Sequence, residues 1–218
     1  LPKTKGRRID GHRFYEIDGK NYPSITTVLN IRKKEGLTKW RESVGEGAAN
    51  WEMARAARRG TATHKLIEQY LKSETPSERS VLPLGLFKLL KPYVDQINNI
   101  HLLEAIMYSH KLTVAGQVDC VAEYNGKLSV IDFKTANKER QESWIDNYFL
   151  QCTAYAIMYE EIFKKPIEQV VVLLAGEDGS VACYKKNIKD YEESLGKAIQ
   201  DFYKYYEQIT KDKIATSK

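Results

Sequence analysis

The chain has 218 residues, of which 42% are hydrophobic and 29% are charged, and its formal net charge is +5. This composition excludes a disordered or fibrous protein and is typical of a globular domain that buries a hydrophobic core. The small positive excess permits a polyanionic partner without requiring one. The three cysteines are far apart in the sequence. Their spacing argues against a disulfide framework or a Cys-x-x-Cys metal site and favours a reducing compartment.

No apolar segment approaches the about 20 residues that a membrane-spanning helix needs. The sequence shows no signal-peptide pattern, and it starts with LPKTKGRR rather than with methionine, which leaves a removed leader open. We therefore expect an intracellular protein without a membrane partner. It would reside in the cytoplasm of a bacterial or phage-infected cell, or in a mitochondrion if a leader has been removed.

The chain begins with a basic segment over residues 1–21. Residues 1–11 contain glycine and several basic side chains, and we expect them to be mobile. Residues 12–23 alternate around Asp18-Gly19, which predicts a small hairpin. Ser24 is well placed to cap a short helix that follows.

The next segment is predicted to be helical. Helical composition extends over residues 38–71, with breaks expected near Gly45, Gly47 and Gly60. A loop, KSETPSERS, separates this region from a further helix that bends or ends near Pro92. These helices would form an N-terminal helical cap.

The rest of the chain alternates between strands and helices. Strands are predicted over 102–109, 116–124, 127–134 and 167–176, with an edge-like strand in VACYKK, and helices over 141–164 and 189–210. Pro166 would stop the first of these helices. The pattern predicts an α/β fold in which a mixed central β-sheet is flanked by helices.

One hairpin carries an unusual set of charges. The runs GQVDCVAEY and KLSVIDFKT flank Asn125-Gly126, the strongest short hairpin signal. If the turn has two residues, Asp119 lies directly opposite Asp132, and alternation places Lys134 on the same face as both acids. Two opposed carboxylates require a cation. A divalent metal ion would neutralise both and leave Lys134 free for chemistry.

A solvent-facing hairpin with scattered charges is the alternative interpretation. It is disfavoured because the other end of the same face carries Val121, Leu128 and Val130. A solvated face would not carry this apolar tip.

These residues resemble the PD-(D/E)xK nuclease superfamily, in its RecB-like branch. RGTATH (59–64) resembles the Gly-x-x-x-His helix that precedes the core, GQVD supplies the first acid, DFKT supplies Asp-x-Lys, and QCTAY (151–155) resembles Gln-x-x-x-Tyr. Within that branch, YPSITTVL and the tryptophan in TKW are most similar to the mitochondrial genome maintenance exonucleases and their phage and bacterial relatives. The resemblance covers residues 22–190 approximately.

The resemblance implies a restriction-endonuclease-like core and a single nuclease domain over residues 1–218. In this division the basic segment is 1–21, a mainly helical part carrying His64 is 22–100, the catalytic α/β core is 101–190, and a C-terminal helix and tail are 191–218.

The resemblance also implies roles for individual residues. Asp119, Asp132, the Phe133 carbonyl and His64 would bind one or two Mg²⁺ or Mn²⁺ ions, while Lys134 would orient or activate the attacking water. Gln151, Tyr155, Thr135 and Arg59 would contact the substrate. No iron–sulfur cluster is expected, since the cysteines that hold one in some relatives have no counterpart here.

The predicted activity is metal-dependent hydrolysis of DNA phosphodiester bonds. The resemblance favours an exonuclease acting on single-stranded ends or flaps in replication, repair or recombination, with single-stranded DNA as the partner. An endonuclease with the same site and a non-catalytic nucleic-acid-binding accessory protein are the alternatives. The sequence identifies no protein partner.

A second, structural interpretation remains open for several of these residues. His64 forms an i, i+4 pair with Glu68 that could simply stabilise a helix. A tyrosine stripe such as the one containing Gln151 and Tyr155 usually serves packing. Glu104 could reach the site or pair with a basic side chain. The arginines before Gly60 could be a solvated face, and Trp40 and Trp51 could stack on bases or pack within the cap.

Overall fold

The computed structural model describes the backbone of residues 1–140, 142 and 145–216, and side chains in these ranges up to residue 212. The N-terminal part contains β1 (Arg7–Ile9), β2 (His12–Ile17), β3 (Lys20–Pro23), α1 (Ile25–Asn30), α2 (Lys34–Val44), α3 (Glu46–Leu71) and α4 (Val81–Val94). The remainder contains β4 (Ile97–Ser109), β5 (Val114–Tyr124), β6 (Lys127–Ala136), α5 (Asp146–Phe163), β7 (Gln169–Gly176), β8 (Val181–Asn187) and α6 (Glu192–Thr216).

A five-stranded sheet with the strand order β4-β5-β6-β7-β8 forms the centre of the protein. Strands β6 and β7 are parallel, and the other neighbouring pairs are antiparallel. The parallel pair requires a crossover, which α5 provides. Helices α1, α5 and α6 contribute to the core on one face, and α3 and α4 contribute to the core on the other. The predicted mixed α/β architecture is thereby confirmed.

The N-terminal segment is more ordered than the sequence predicted. Residues 12–23 form the expected hairpin, but Arg7–Ile9 adds a third strand to it, so the expectation that all of residues 1–11 are mobile is wrong. A second Asp-Gly turn explains the difference. Asp10 and Gly11 have φ values of 52° and 79°, the left-handed pair that a tight two-residue hairpin turn needs.

The helical region departs from prediction at two glycines. Ser24 caps α1 as expected, since its Oγ accepts the Thr27 N–H at 3.1 Å. The chain breaks at Gly45, where φ is 87°, yet α3 runs through Gly47 and Gly60 without interruption. A glycine inside a helix costs only about 1 kcal/mol, which burial of one helix face can offset.

Of two further predicted boundaries, the helix end near Pro92 is confirmed and the start of the next helix is shifted. Pro92 lies in the last turn of α4, which continues to Val94. The helix predicted over 141–164 begins at Asp146, and residues 141, 143 and 144 lie outside the described residues. Of the helices described here, none combines the length and the apolar character needed to cross a membrane.

Gly116, in the GQVD motif of β5, is required by close packing. A Cβ atom at this position would lie 2.9 Å from the Tyr155 ring and 3.3 Å from Ile25 Cγ2. Both of these side chains are buried. The glycine therefore lets α5 approach the sheet at the strand that carries Asp119.

We expect Gly116→Ala to lower the free energy of unfolding by about 1–3 kcal/mol, because a methyl group would be forced into a filled core. Urea denaturation measures this change. The control is Gly47→Ala in α3, where nothing lies within 4 Å of the added Cβ. That variant should be unchanged or more stable by up to about 1 kcal/mol. Equal stability of the two variants would contradict the packing argument.

Candidate active site

The site forms where β5 and β6 separate. From the Asn125-Gly126 turn, the strands pair in the predicted register, from Tyr124–Lys127 to Cys120–Ile131. The regular pairing ends there, so the predicted direct opposition of Asp119 and Asp132 is not formed. Instead, Asp119 Oδ2 accepts the backbone N–H of Phe133 at 2.9 Å. The carboxylate thus takes the place of a strand-to-strand hydrogen bond.

The strand geometry also turns Asp119 toward α3. Val118 and Val121, on either side of it, both belong to the core on the α5 face, so the alternation of β5 is interrupted between them. On β4, Glu104 has a φ of 49°, a left-handed conformation that is uncommon for glutamate. The prediction that Asp119 shares the face of Val121 and Val130 is therefore wrong. Such strained positions are typical of functional sites.

Three potential ligands meet at this point. Ligand atoms of His64 (α3), Glu104 (β4) and Asp119 (β5) all lie within 4.8 Å of one another. His64 Nε2 is 2.6 Å from the Phe133 carbonyl oxygen, which can only accept a hydrogen bond, so Nε2 carries the proton. The other ring nitrogen, Nδ1, lies 3.7 Å from Asp119 Oδ2. A histidine ring whose second nitrogen is held by a backbone carbonyl is oriented as in many metal sites.

Asp132 lies on the opposite face and pairs with Lys134. The Asp132 side chain is 2% exposed, and Lys134 Nζ lies 2.7 Å from Asp132 Oδ2. Lys134 also donates a hydrogen bond to Oδ1 at 2.7 Å. Although the ammonium is close to both oxygens, Oδ2 is buried and receives no directed hydrogen bond from a described residue. The ammonium of Lys134 is thus the cation that compensates this buried carboxylate.

The charges of these groups interact strongly. Burial, followed by the charge of Asp119, raises the pKa of Glu104 to about 7. Burial raises the pKa of Asp132 to about 6, although the neighbouring ammonium of Lys134 opposes this shift. Burial acts to lower the pKa of Lys134, but the charges of Asp132 and Asp119 outweigh it and raise the pKa. The lysine therefore stays protonated at neutral pH and acts as a fixed positive charge.

These residues fit a hard divalent cation. Two carboxylates and one imidazole converge, a buried carboxylate oxygen lacks a hydrogen bond, and two acids have pKa values that a nearby cation would lower. Oxygen ligands suit Mg²⁺, and an imidazole is compatible with Mn²⁺.

Glu104 is the residue whose role the sequence left open. The β4–β5 register, which places Leu103 opposite Cys120 and Ala105 opposite Val118, brings Glu104 level with Asp119. If the register of β4 and β5 had been derived across the loop that joins them, the sequence could have identified Glu104 as a neighbour of Asp119.

The predicted substrate residues on α5 are largely buried. Tyr155 is 2% exposed and packs on Gly116, and Gln151 Nε2 lies 3.4 Å from its hydroxyl. Tyr148, one turn earlier, reaches the site instead, since Lys134 Nζ is 5.1 Å from the centre of its ring. The substrate contacts of Gln151 and Tyr155 remain predictions.

Arg59 and Thr135 are bonded to each other. Arg59 Nε donates to Thr135 Oγ1 at 3.2 Å, and its Nη1 donates to Asn137 Oδ1 at 2.5 Å and pairs with Glu177. The Arg59 side chain is 5% exposed. A contact between Arg59 and a substrate phosphate would require these bonds to break.

By contrast, Trp51 is 58% exposed, so its ring does not belong to the core.

The cysteines are free thiols. Cys120 and Cys152 are buried, and burial raises the pKa of both thiols, that of Cys120 to about 12. They are therefore held as neutral thiols. The absence of an iron–sulfur cluster remains a prediction.

Comparison with known proteins connects this geometry to a family. Human mitochondrial genome maintenance exonuclease 1 is 30% identical over 175 residues, which cover 73% of this chain and 51% of the human protein. The mouse protein is 28% identical over 181 residues, which cover 76% of this chain and 53% of the relative. The chain spans about half the length of the curated relatives it matches.

A solved structure, that of SSO0001, aligns with a TM-score of 0.43 and 16% identity over 82% of this chain and 74% of that chain, a likeness too low to bear on the assignment. Residues 86–217 match the family profile described as the PD-(D/E)XK nuclease superfamily. This match includes Glu104, Asp119, Asp132 and Lys134. The chain belongs to the PD-(D/E)XK nuclease superfamily.

Proposed function

We propose that this protein is a metal-dependent DNA nuclease, and specifically an exonuclease that acts on single-stranded ends or flaps. The observation that carries the proposal is the convergence of His64, Glu104 and Asp119 beside the buried Asp132–Lys134 pair, where β5 and β6 separate. Phosphodiester hydrolysis needs charge neutralisation and a positioned water, and this set of groups can supply both.

His64, Glu104 and Asp119 would hold an Mg²⁺ or Mn²⁺ ion. The motif resemblance assigns Asp132 as a further oxygen ligand. A divalent ion bound here would polarise a phosphoryl oxygen and lower the pKa of a bound water.

The protein residues would hold and orient the reacting groups. The N–H of Phe133 fixes Asp119, and its carbonyl oxygen fixes the ring of His64. Lys134 remains protonated, so it would orient the attacking water and offset negative charge on the phosphate rather than remove a proton. Asp132 holds the ammonium of Lys134 in place.

The choice of substrate rests on the relatives. The mitochondrial relatives are named as genome maintenance exonucleases, which supports action at nucleic-acid ends and a role in replication, repair or recombination. The preference for single strands is proposed from the motif resemblance. The proposed function is compatible with residence in a mitochondrion or in the cytoplasm of a bacterial or phage-infected cell. A structure-specific endonuclease with the same site is the competing function. A non-catalytic accessory protein is disfavoured because every acid of the motif is present.

Circular and linear single strands distinguish these functions. With Mn²⁺ or Mg²⁺, we expect digestion of end-labelled linear single-stranded DNA and no digestion of the same sequence closed into a circle, because an exonuclease needs an end. Gel electrophoresis resolves the products. Cutting of circles would establish the endonuclease, and no cutting of either form would favour the accessory protein.

Lys134→Ala should reduce turnover by at least about 100-fold, because it removes the fixed positive charge beside the reacting phosphate. End-labelled linear DNA with and without chelator measures activity, and circular dichroism tests the fold. The control is Lys127→Ala, which removes an exposed lysine from the same strand near its turn. Unchanged turnover of Lys134→Ala would exclude this lysine from the mechanism.

Metal binding should depend on pH through Glu104. Because folding raises its pKa to about 7, the folded protein binds more protons than the unfolded chain above about pH 4. This contribution to stability therefore falls as pH rises toward 7. A bound cation removes the penalty, so saturating Mn²⁺ should raise the melting temperature more at pH 8 than at pH 5.5. The increase should reach about 5–10 °C at 100 times Kd.

Glu104→Gln should lose most of this metal-induced increase and should melt higher than wild type at pH 8 without metal. Differential scanning fluorimetry provides the readout. The matched control is Glu123→Gln, which makes the same change on β5 near the turn, where Glu123 accepts a hydrogen bond from Asn99. A full metal response in Glu104→Gln would remove Glu104 from the ligand set.

A further inference from the structure

A groove lies between the N-terminal three-stranded sheet, α1, α2 and α6. Its walls include Arg8, Arg13, Asn30, Lys34, Leu37 and Tyr205. No aspartate or glutamate lines the groove in the described part of the chain. The groove is therefore lined by the cationic side chains of Arg8, Arg13 and Lys34, and Tyr205 adds a phenol ring.

Two arginines of the groove are placed directly opposite each other. Arg8 on β1 pairs across the strands with Arg13 on β2, and both side chains are exposed. Like charges at directly opposed positions destabilise a sheet. An anion bound between them would remove this repulsion, and bidentate guanidinium groups are well suited to phosphate.

Lys34 and Tyr205 form the other wall. Lys34 Nζ donates to the Tyr205 hydroxyl at 2.9 Å and lies 5.0 Å from the centre of the Tyr205 ring. Proteins commonly bind single-stranded nucleic acids with a cation next to an aromatic ring, since phosphates pair with the cation and bases stack on the ring.

The preceding residue connects the groove to the candidate active site. Lys33 Nζ lies 5.3 Å from the centre of the Tyr148 ring, and Lys134 Nζ lies 5.1 Å from the same point. Partial burial and the charges of Lys134, Arg140 and Arg32 lower the pKa of Lys33, as expected for a cation among other cations. The adjacent residues Lys33 and Lys34 thus face the active site and the groove, respectively.

We propose that this groove binds the sugar-phosphate backbone of a single nucleic-acid strand several nucleotides away from the bond that is cut. The strand would leave the active site past Tyr148 and Lys33, pass Lys34 and Tyr205, and place a phosphate between Arg8 and Arg13. This inference rests on the proposed nuclease function and deepens it by assigning a second contact region to the same substrate.

The test measures how the length of the strand and the loss of two positive charges change the binding affinity. In chelator, fluorescence anisotropy measures the binding of labelled oligothymidylates of about 5 and about 20 nucleotides, a range that spans typical single-strand site sizes. Wild type should bind the longer strand at least about tenfold more tightly per site. The double variant Arg8→Ala, Arg13→Ala should lose this gain and bind the short strand as wild type does.

The salt dependence should change in parallel. The slope of log K against log salt for the longer strand should decrease by about 0.7, the value for one single-strand phosphate contact, because both arginines contact the same phosphate. The melting temperature should not fall, because the opposed charges are removed. The matched control is Lys127→Ala, Lys185→Ala, which removes two exposed positive charges at the turn end of the central sheet.

Each outcome decides the inference. Loss of the length-dependent gain in the arginine variant alone supports the groove. An equal loss in both double variants, or no length dependence in wild type, overturns it. Cleavage of linear DNA with Mn²⁺ is measured separately on wild type, so failure of the nuclease proposal is recognised independently of strand binding.

Discussion

The hydrogen bond from the N–H of Phe133 to Asp119 is the contact on which the candidate site depends. It takes the place of a strand-to-strand bond, and it opens the sheet where two acids would otherwise face each other. The carbonyl oxygen of the same residue accepts from His64. Both backbone groups of Phe133 are thus used by site residues, and its ring packs in the core on the α3 side. One residue therefore connects β5, β6 and α3.

The acids of the site repel each other, and their burial strengthens this repulsion. Glu104 and Asp119 come from neighbouring strands, and Asp132 is buried with one oxygen lacking a directed hydrogen bond. Burial raises the pKa of both Glu104 and Asp132, so the protein without a cation holds these carboxylates at a cost in stability. Such a cost is characteristic of sites that are arranged for a ligand rather than for folding.

Lys134 has a different role from the acids. Its charge stabilises Asp132, and the two acids in turn keep it protonated. In the proposed function, a protonated lysine would contribute by position and charge. Tyr148 places an aromatic ring next to it and next to Lys33, so that a second cation lies close to the candidate site.

The sequence by itself determined the α/β class, the turn at Asn125-Gly126 and the register near it, because a two-residue turn and alternating side chains leave few alternatives. It also indicated His64, Asp119, Asp132 and Lys134 through motif spacing. These are local properties of the chain.

Only the tertiary structure decided which groups face one another. The alternation of β5 is interrupted between Val118 and Val121, which turns Asp119 away from the face of Asp132, and a break of this kind depends on packing between strands. The burial of Arg59 against Glu177 and of Tyr155 against Gly116 likewise depends on elements distant in sequence. Spacing along one strand predicts the face of the sheet on which a side chain lies. Contacts between elements that are distant in sequence decide which groups that side chain meets, and these neighbouring groups determine its chemistry.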